Sequence, residues 1–240
     1  MAGHSHWAGI KHKKGRADEE RSKVFSKLSR EITVAAKLGD KDPDMNPRLR
    51  TAIQAAKAAN MPKNNISRAI SKSDGSSEKN YENLRYEGFG PFNTALIIET
   101  LTDNKNRSAS SIRTALQKNG GRLGEAGSTT HMFFNCGIIH IEKNRIKEEE
   151  LFEIATNAGA KDFKQVNNIH EIITEKEDFY KIKSKLEQKN QKFLYSKIEW
   201  RALDYVKLNY EQSKKMVEIF SILEELDDVQ NVYSNASIIN

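Results

Sequence analysis

Apolar residues in the first third of the chain recur at helical spacing. Turn signals separate three such runs: Gly39 can end a helix, Asn46 and Pro47 are typical of a helix start, and Pro62 interrupts the pattern. We therefore predict three helices, followed by a polar, glycine-containing linker over 73–80. The apolar positions are Val24, Leu28, Ile32 and Ala35, then Leu49, Ile53 and Ala56, and then Ile66 and Ile70.

After Tyr81 the pattern changes to short apolar runs and alternating residues, which favour strands. These elements predict an α+β domain formed from two separate parts of the chain. They are strands at 84–87 and 94–101, a helix carrying Ile112 and Leu116, a strand at 131–134, a helix at 211–226 and a strand at 229–234.

The intervening segment has the order β-α-β-β-α-β, which is typical of a ferredoxin-like unit. Its predicted elements are 137–142, 148–157, 163–166, 169–174, 176–188 and 191–198. The fold class is therefore α+β: an N-terminal helical domain and two α+β domains, the last inserted into the middle one. The predicted domains are 1–75, 81–135 together with 202–240, and 136–201.

Composition excludes several classes of protein. The mean hydropathy is −0.72, and no apolar run approaches the length that a membrane span needs. The start of the sequence lacks the apolar stretch of a signal peptide, so we expect a cytoplasmic protein without a membrane partner. A single cysteine, Cys136, excludes an internal disulfide and any zinc site built on several thiolates.

The positive charge is concentrated at one end. Residues 1–75 contain 16 basic and 8 acidic side chains, whereas the other 165 residues contain 23 and 25. A basic excess confined to one segment favours binding to nucleic acid, or less often to an anionic membrane surface.

No motif indicates catalysis or a cofactor. GxSxG, HExxH, GxxxxGK[ST] and CxxC are absent. Cys136 lies among apolar residues, which favours a core position over a nucleophile. The glycines of 120–127 match no phosphate-binding fingerprint and indicate a flexible loop, and the acidic residues of 224–228 are expected on a solvated face. We expect neither an enzyme nor a metal site.

The chemistry that remains is that of an arm at residues 1–16, where cations, histidines and one tryptophan occur between glycines. Lysine and arginine neutralise phosphates, and tryptophan stacks on unpaired bases. We see no glycine-containing helix-turn-helix and no RNP-type aromatic residues, so recognition of backbone and shape is favoured. The candidate nucleic-acid-binding residues are His4, His6, Trp7, Lys11, His12, Lys13, Lys14 and Arg16 in the arm, with Arg48, Arg50 and Lys63 beyond it.

Several segments of this sequence resemble the YebC/PmpR family from end to end. They are MAGHSHWAGIKHKK, KVFSKLSREITVAAKLGDKDPDMNPRLRTAI, AKAANMPKNNISRAI, YEGFGPFNTALIIETLTDNKNRS, KNGGRLGEAGS and LDDVQNVYSN. The sequence departs from the family at Gly9, at Thr129 and Thr130, and at Trp200, and the last change affects the return from the inserted domain.

The resemblance implies three domains, a cytoplasmic location, and neither enzyme activity nor a required cofactor. It also implies a DNA-binding transcriptional regulator. Some relatives, including a mitochondrial translational activator, act instead on the ribosome, where they bind rRNA and relieve stalling. We therefore expect a non-enzymatic nucleic-acid-binding regulator of gene expression, with DNA as the first candidate target and rRNA as the alternative. The sequence favours no oligomeric state.

Overall fold

The computed structural model describes residues 17–74, 81–189 and 192–239. It confirms the α+β fold class, with three helices followed by two antiparallel sheets and their flanking helices. Contacts divide the chain into two compact units: a first unit of residues 1–130 and 205–240, and an inserted unit of residues 131–204. The division into three domains stays a prediction, and most of the linker predicted at 73–80 lies outside the described residues.

Helices and strands of the described residues are numbered in chain order. The helices are α1 (Ala17–Leu38), α2 (Pro47–Ala58), α3 (Lys63–Ser71), α4 (Lys105–Lys118), α5 (Glu148–Ala158), α6 (Phe179–Gln188) and α7 (Tyr210–Glu224). The strands are β1 (Glu82–Phe89), β2 (Ala95–Thr102), β3 (Arg122–Leu123), β4 (Phe133–Glu142), β5 (Asp162–Val166), β6 (Ile169–Glu175), β7 (Tyr195–Ala202), β8 (Val206–Lys207), β9 (Val229–Ser234) and β10 (Ala236–Ser237).

The three N-terminal helices enclose a small core of their own, in which α1 packs against both α2 and α3. Alanines make up five of the nine buried residues, which lets the helix backbones approach closely. Val24 differs from its prediction, because it is 43% exposed while Phe25 packs on the core. The buried residues are Ile32, Ala35, Ala36, Leu49, Ala52, Ala56, Met61, Ile66 and Ala69.

Asn46 fixes the turn between α1 and α2. Its side-chain oxygen accepts a hydrogen bond from the Leu49 amide at 3.0 Å, which caps α2. Its amide nitrogen donates to the carbonyls of Ala35, at 2.8 Å, and Asp40, at 2.7 Å. A Cβ on Gly39 would lie 2.7 Å from that nitrogen, so the glycine makes room for the cap. The predicted role of Asn46 as an N-cap is confirmed.

A second turn, residues 59–62, joins α2 to α3. Asn60 has a φ of +59° and therefore occupies the left-handed region that usually favours glycine. The amide of Met61 donates to the carbonyl of Ala56 and that of Asn60 donates to the carbonyl of Lys57, the two bonds of a Schellman motif. Met61 is buried, so the turn redirects the chain while it contributes to the helical core.

The sheet of the first unit has the strand order β3-β1-β2-β9, and every adjacent pair is antiparallel. Residues of α4 and α7 pack on one face of it, where Ile112 and Leu116 meet Met216 and Phe220 over Leu96. The edge strand β9 thus pairs with β2, which lies more than a hundred residues earlier in the chain. A parallel pair of β8 with β10 adds a short second ribbon.

The inserted unit has the strand order β5-β6-β4-β7, with antiparallel neighbours throughout. This order and the β-α-β-β-α-β sequence define a ferredoxin-like sheet. Its core lies between the sheet and α5 and α6, with Ile139, Ile141 and Ile172 facing Leu151 and Phe179. At its two ends the amide of Leu203 donates to the carbonyl of Met132 at 2.9 Å, so the chain enters and leaves at adjacent points.

The predicted break between two strands near residue 135 is wrong. The separate strands expected at 131–134 and 137–142 are one strand, β4, which pairs with β7 from Phe133 to His140. Gly137 lies within this strand, and a Cβ at this position would clash with the Phe179 ring and the Thr174 hydroxyl. The glycine marks close packing of α6 on the sheet rather than a break.

Two further elements begin later than predicted. The helix expected from Lys176 begins at Phe179, and the strand expected at 191–198 lies at 195–202. The two residues of β3 form a strand within the glycine-rich segment, where a loop was expected.

Asp228 is buried and does not lie on the solvated face that its acidic neighbours predict. Its carboxylate accepts hydrogen bonds from Ser108 at 2.7 Å, Arg107 at 2.9 Å, Thr102 at 3.1 Å and Arg30 at 3.2 Å. Burial raises the pKa of this carboxyl, but these hydrogen bonds outweigh burial and the net pKa is lowered. One side chain thereby joins α1, β2 and α4 to the start of β9.

Glu87 binds the end of the glycine-rich segment and the residues that follow it. The buried Glu87 carboxylate accepts hydrogen bonds from the amides of Thr129 at 2.7 Å, Thr130 at 2.8 Å and Gly127 at 2.9 Å, and from the Thr130 hydroxyl. Burial alone would raise the pKa of Glu87, yet these donors lower it to about 2.

We predict that Asp228→Asn destabilises the protein by about 2–4 kcal/mol, because it leaves partly buried arginines without their counter-charge. Denaturant unfolding followed by circular dichroism measures this difference. Asp227→Asn is the matched control, since it removes the same charge from an exposed neighbour. Equal stability of the two variants would contradict the structural role of Asp228.

Glu87→Gln tests the second buried carboxylate through pH. The folded pKa lies below the unfolded value of about 4.3, so the stabilisation is present above that value and is lost as pH falls towards 2. We expect Glu87→Gln to cost about 2–3 kcal/mol at pH 7 and progressively less below pH ~4. Unfolding curves between pH 7 and 2 give this difference. Glu82→Gln, an exposed change on the same strand, should show no such convergence with the wild type.

Candidate nucleic-acid interface

The longest stretch of the described residues that has basic but no acidic side chains includes α2 and α3. Residues 47–73 contain six basic side chains and no acidic one. Such a segment attracts phosphates over a distance of about a Debye length. Which of the six can meet a ligand depends on their contacts within the protein.

Helix α3 is amphipathic and presents one polar face to solvent. Ile66 and Ala69 are buried against the other helices, and the Thr33 hydroxyl donates to the Ala69 carbonyl at 2.8 Å. We call the opposite side the α3 outer face, and it consists of the exposed residues Lys63, Asn64, Ser67, Arg68, Ser71 and Lys72. All of these residues except Lys63 line a shallow surface depression of about 470 Å³.

The cations of this face are unneutralised. Lys63, Arg68 and Lys72 form no ion pair with any residue in the described ranges. Lys63 begins the helix, whose N-cap position is Pro62 and whose first turn has no acidic residue and no side-chain cap. A cation is unfavourable at this positive end of the helix dipole, and an external anion would relieve that arrangement.

Arg48, a sequence-predicted site residue, is committed to the fold. Its guanidinium donates to both carboxylate oxygens of Glu31, at 2.7 and 3.1 Å, and to the Asn83 side chain at 3.4 Å. The bidentate pair joins α1 to the start of α2 and offsets the charge of Arg48.

Arg50 lies beside an acidic turn. Its guanidinium donates to the Asp44 carbonyl at 3.4 Å, and Asp40, Asp42 and Asp44 surround the α1–α2 connection. The Asp40 and Asp42 carboxylates accept hydrogen bonds from the amides of Asp42 and Asp44, which stabilises this acidic turn. The structure therefore shifts the strongest candidate surface from the start of α2 to α3.

The arm residues lie outside the described ranges. His4, His6, Trp7, Lys11, His12, Lys13, Lys14 and Arg16 stay predictions. Of the residues predicted beyond the arm, Lys63 alone belongs to the α3 outer face.

The inserted unit contains a different cluster, on the sheet face opposite α5 and α6. The Glu171 carboxylate accepts two hydrogen bonds from Arg201, at 2.6 and 2.9 Å, and lies 2.9 Å from His140 Nε2. Glu199 accepts hydrogen bonds from Arg201, at 3.0 Å, and from the Tyr195 hydroxyl, at 2.6 Å. Burial raises the pKa of Glu171, but His140 and Arg201 lower it to about 2.

This cluster has the composition of a catalytic site but the connections of a structural network. Each carboxylate already has its donors within the cluster, which is the arrangement that makes buried charges tolerable. Cys136, on the same face, is buried as predicted, and burial raises the pKa of its thiol to about 12. Nucleophilic chemistry needs the thiolate, which this environment disfavours.

Two other kinds of site are absent from the described residues. They contain no group of three or more His, Cys, Asp or Glu side chains that could hold a metal ion. Within the same ranges, no helix has the length and apolar character required to cross a membrane.

Comparison with known proteins extends these observations to the whole chain. A family model described as the TACO1/YebC protein N-terminal domain matches residues 5–76, and one described as the TACO1/YebC second and third domain matches residues 81–236. The chain belongs to the TACO1/YebC family. The boundary between the two matched ranges lies just after the α3 outer face.

Relatives in the TACO1/YebC family match this chain over almost its whole length. A protein of Pelagibacter ubique is 55% identical over 100% of both chains, and one of Natranaerobius thermophilus is 48% identical over 99% of this chain and 97% of its own. Both are named probable transcriptional regulatory proteins. A conserved hypothetical protein of Aquifex aeolicus has a similar crystal structure, with 42% identity, a TM-score of 0.82 and 98% of each chain covered. The names of the first two relatives thus support a regulatory role.

The sequence analysis finds no glycine-containing helix-turn-helix in this TACO1/YebC chain, and the structure shows that the short turn between α2 and α3 forms without glycine. Asn60 occupies the left-handed position instead, and the four-residue turn at 59–62 joins two short helices that pack on a third. Asparagine tolerates this conformation better than other non-glycine residues, so Asn60 followed by the apolar Met61 and by Pro62 was the available signal.

Proposed function

We propose that this protein is a DNA-binding regulator of transcription, that it acts in the cytoplasm, and that it is not an enzyme. The observation that carries the proposal is the α3 outer face, which exposes three cations without ion-pair partners in the described ranges. A duplex carries one negative charge per ~1.7 Å of its axis, so clustered cations release bound counterions and gain affinity. The names of the relatives support the regulatory role.

The arm extends this surface in our proposal. Lys11, Lys13, Lys14 and Arg16 precede α1 directly in the sequence, and the bundle formed by α1, α2 and α3 exposes the cations of α3. Together they raise the number of phosphates that the N-terminal region can neutralise. The rest of the chain has a small net negative charge and contributes no such attraction.

rRNA is the second candidate target, favoured by one observation. Trp7 lies among the cations and glycines of the arm, and an indole stacks well on unpaired bases. Bases of a duplex are already stacked, so this residue would contribute less to DNA binding.

Replacement of Lys63, Arg68 and Lys72 by alanine tests the α3 outer face. For each of the three that contacts a phosphate, its replacement makes the slope of log K against log salt shallower by about 0.9 on duplex DNA and by about 0.7 on single strands. Fluorescence anisotropy with labelled DNA over a salt series measures the slope.

The control carries the same charge change at a different place. Lys118, Lys207 and Lys214 are exposed lysines of the first unit, away from α3 in sequence. Their joint replacement by alanine should leave the slope within error of the wild type. Equal slopes for both triple variants would remove the α3 outer face from the proposal.

The arm is tested on two ligands. Replacement of Lys11, Lys13 and Lys14 by alanine should flatten the salt slope by up to about 2.7 on duplex DNA. Trp7→Ala should weaken binding to a looped rRNA fragment by about 1–3 kcal/mol and change the salt slope little. A large effect of Trp7→Ala on the rRNA fragment, combined with weak duplex binding by the wild type, would favour the ribosomal alternative.

A further inference from the structure

The α3 outer face contains more than phosphate-binding cations. Asn64, Ser67 and Arg68 lie on its first two turns at spacings of three and four residues, which places them side by side. The side chains of all three form no hydrogen bond with a residue of the described ranges. The side chain of Asn46 differs from these three, because all of its hydrogen bonds are made within the fold.

The order of helices α2 and α3 and the short turn between them resemble a helix-turn-helix unit. In helix-turn-helix proteins the second helix lies in the major groove and its N-terminal residues contact base edges. Helix α3 follows α2 after a four-residue turn, and α1 packs behind both. The major groove is about 12 Å wide and admits an α-helix, whose diameter with side chains is about 10–12 Å.

The chemistry of the exposed groups also fits base edges. An asparagine amide pairs with adenine N6 and N7, and an arginine guanidinium pairs with guanine O6 and N7. A serine hydroxyl forms a hydrogen bond with either base. Arg68 and Lys72 are four residues apart, and like charges at this spacing destabilise a helix. An anionic ligand would reduce the repulsion between these two cations. Lys63 adds a third cation at the other end of α3.

We propose that α3 is the sequence-recognising helix for duplex DNA, with Asn64, Ser67 and Arg68 contacting base edges in the major groove and Lys63 and Lys72 contacting the flanking phosphates. This inference rests on the proposed function, because it assigns sequence specificity to the same basic surface. RNA duplexes do not fit this role, since their major groove is too deep and narrow for side chains to contact the bases.

Selection from random DNA duplexes by the full-length protein tests the proposal. The wild type should enrich a preferred sequence, and its affinity for that duplex divided by its affinity for a scrambled duplex defines a specificity ratio. Asn64→Ala and Arg68→Lys should each reduce this ratio by about 5- to 100-fold. Arg68→Lys retains the charge and loses only the planar fork, so its effect cannot come from electrostatics.

Two controls separate specificity from affinity. Lys72→Ala should weaken binding to both duplexes together and leave the ratio unchanged, because a phosphate contact is independent of sequence. Lys118→Ala should change neither affinity. Circular dichroism of each variant checks that these surface changes leave the fold intact.

The outcomes distinguish the inference from the function on which it rests. Binding of DNA without enrichment of any sequence, or an unchanged ratio in both Asn64→Ala and Arg68→Lys, overturns the recognition role while DNA binding stands. Absence of duplex binding at low salt, with retained binding to rRNA, overturns the proposed function itself.

Discussion

The carboxylate of Asp228 is the interaction on which the first unit depends. A single buried charge accepts hydrogen bonds from Arg30 of α1, Thr102 of β2, and Arg107 and Ser108 of α4. Two backbone carbonyls nearby also accept hydrogen bonds from α1. The Asp227 carbonyl accepts from Arg30, and the Glu224 carbonyl accepts from the ammonium of Lys27. A charge can be buried when its partners surround it, and here those partners come from elements far apart in sequence. Helix α1, against which α3 packs, is thereby fixed to the sheet.

The positive charges of this protein divide into two groups with different roles. Arg30, Arg48 and Arg107 have carboxylate partners at or below 3.2 Å and serve the fold. The exposed cations of α3 have no such partners in the described ranges and are left for a ligand. Net charge alone does not separate these groups, since it counts Arg48 and Lys63 equally. The contacts of each side chain decide which of them can meet a phosphate.

Local signals in the sequence predicted most elements of the fold and fewer details of the candidate site. Asn46 and Pro47 mark the start of α2 because capping is a short-range interaction, and periodicity located α1, α3 and most strands. Long-range pairing was harder: Asp228 resembles its solvated neighbours, and Glu87 gives no sign that it binds residues forty positions away. Gly137 suggested a break because its partner, Phe179, is distant in sequence.

The adjacent ends of the inserted unit have a consequence for the stability of the whole chain. Without its own fold, this unit would be an unstructured connection of roughly seventy residues within the first unit. Closing such a loop costs about 2.4 kcal/mol more than closing one of four residues, because each doubling of length adds ~0.6 kcal/mol. The hydrogen bond between Leu203 and Met132 marks where the folded insert holds its two ends together. Folding of the insert therefore lowers the entropic cost of pairing β2 with β9, so the two units share stability through the connectivity of the backbone.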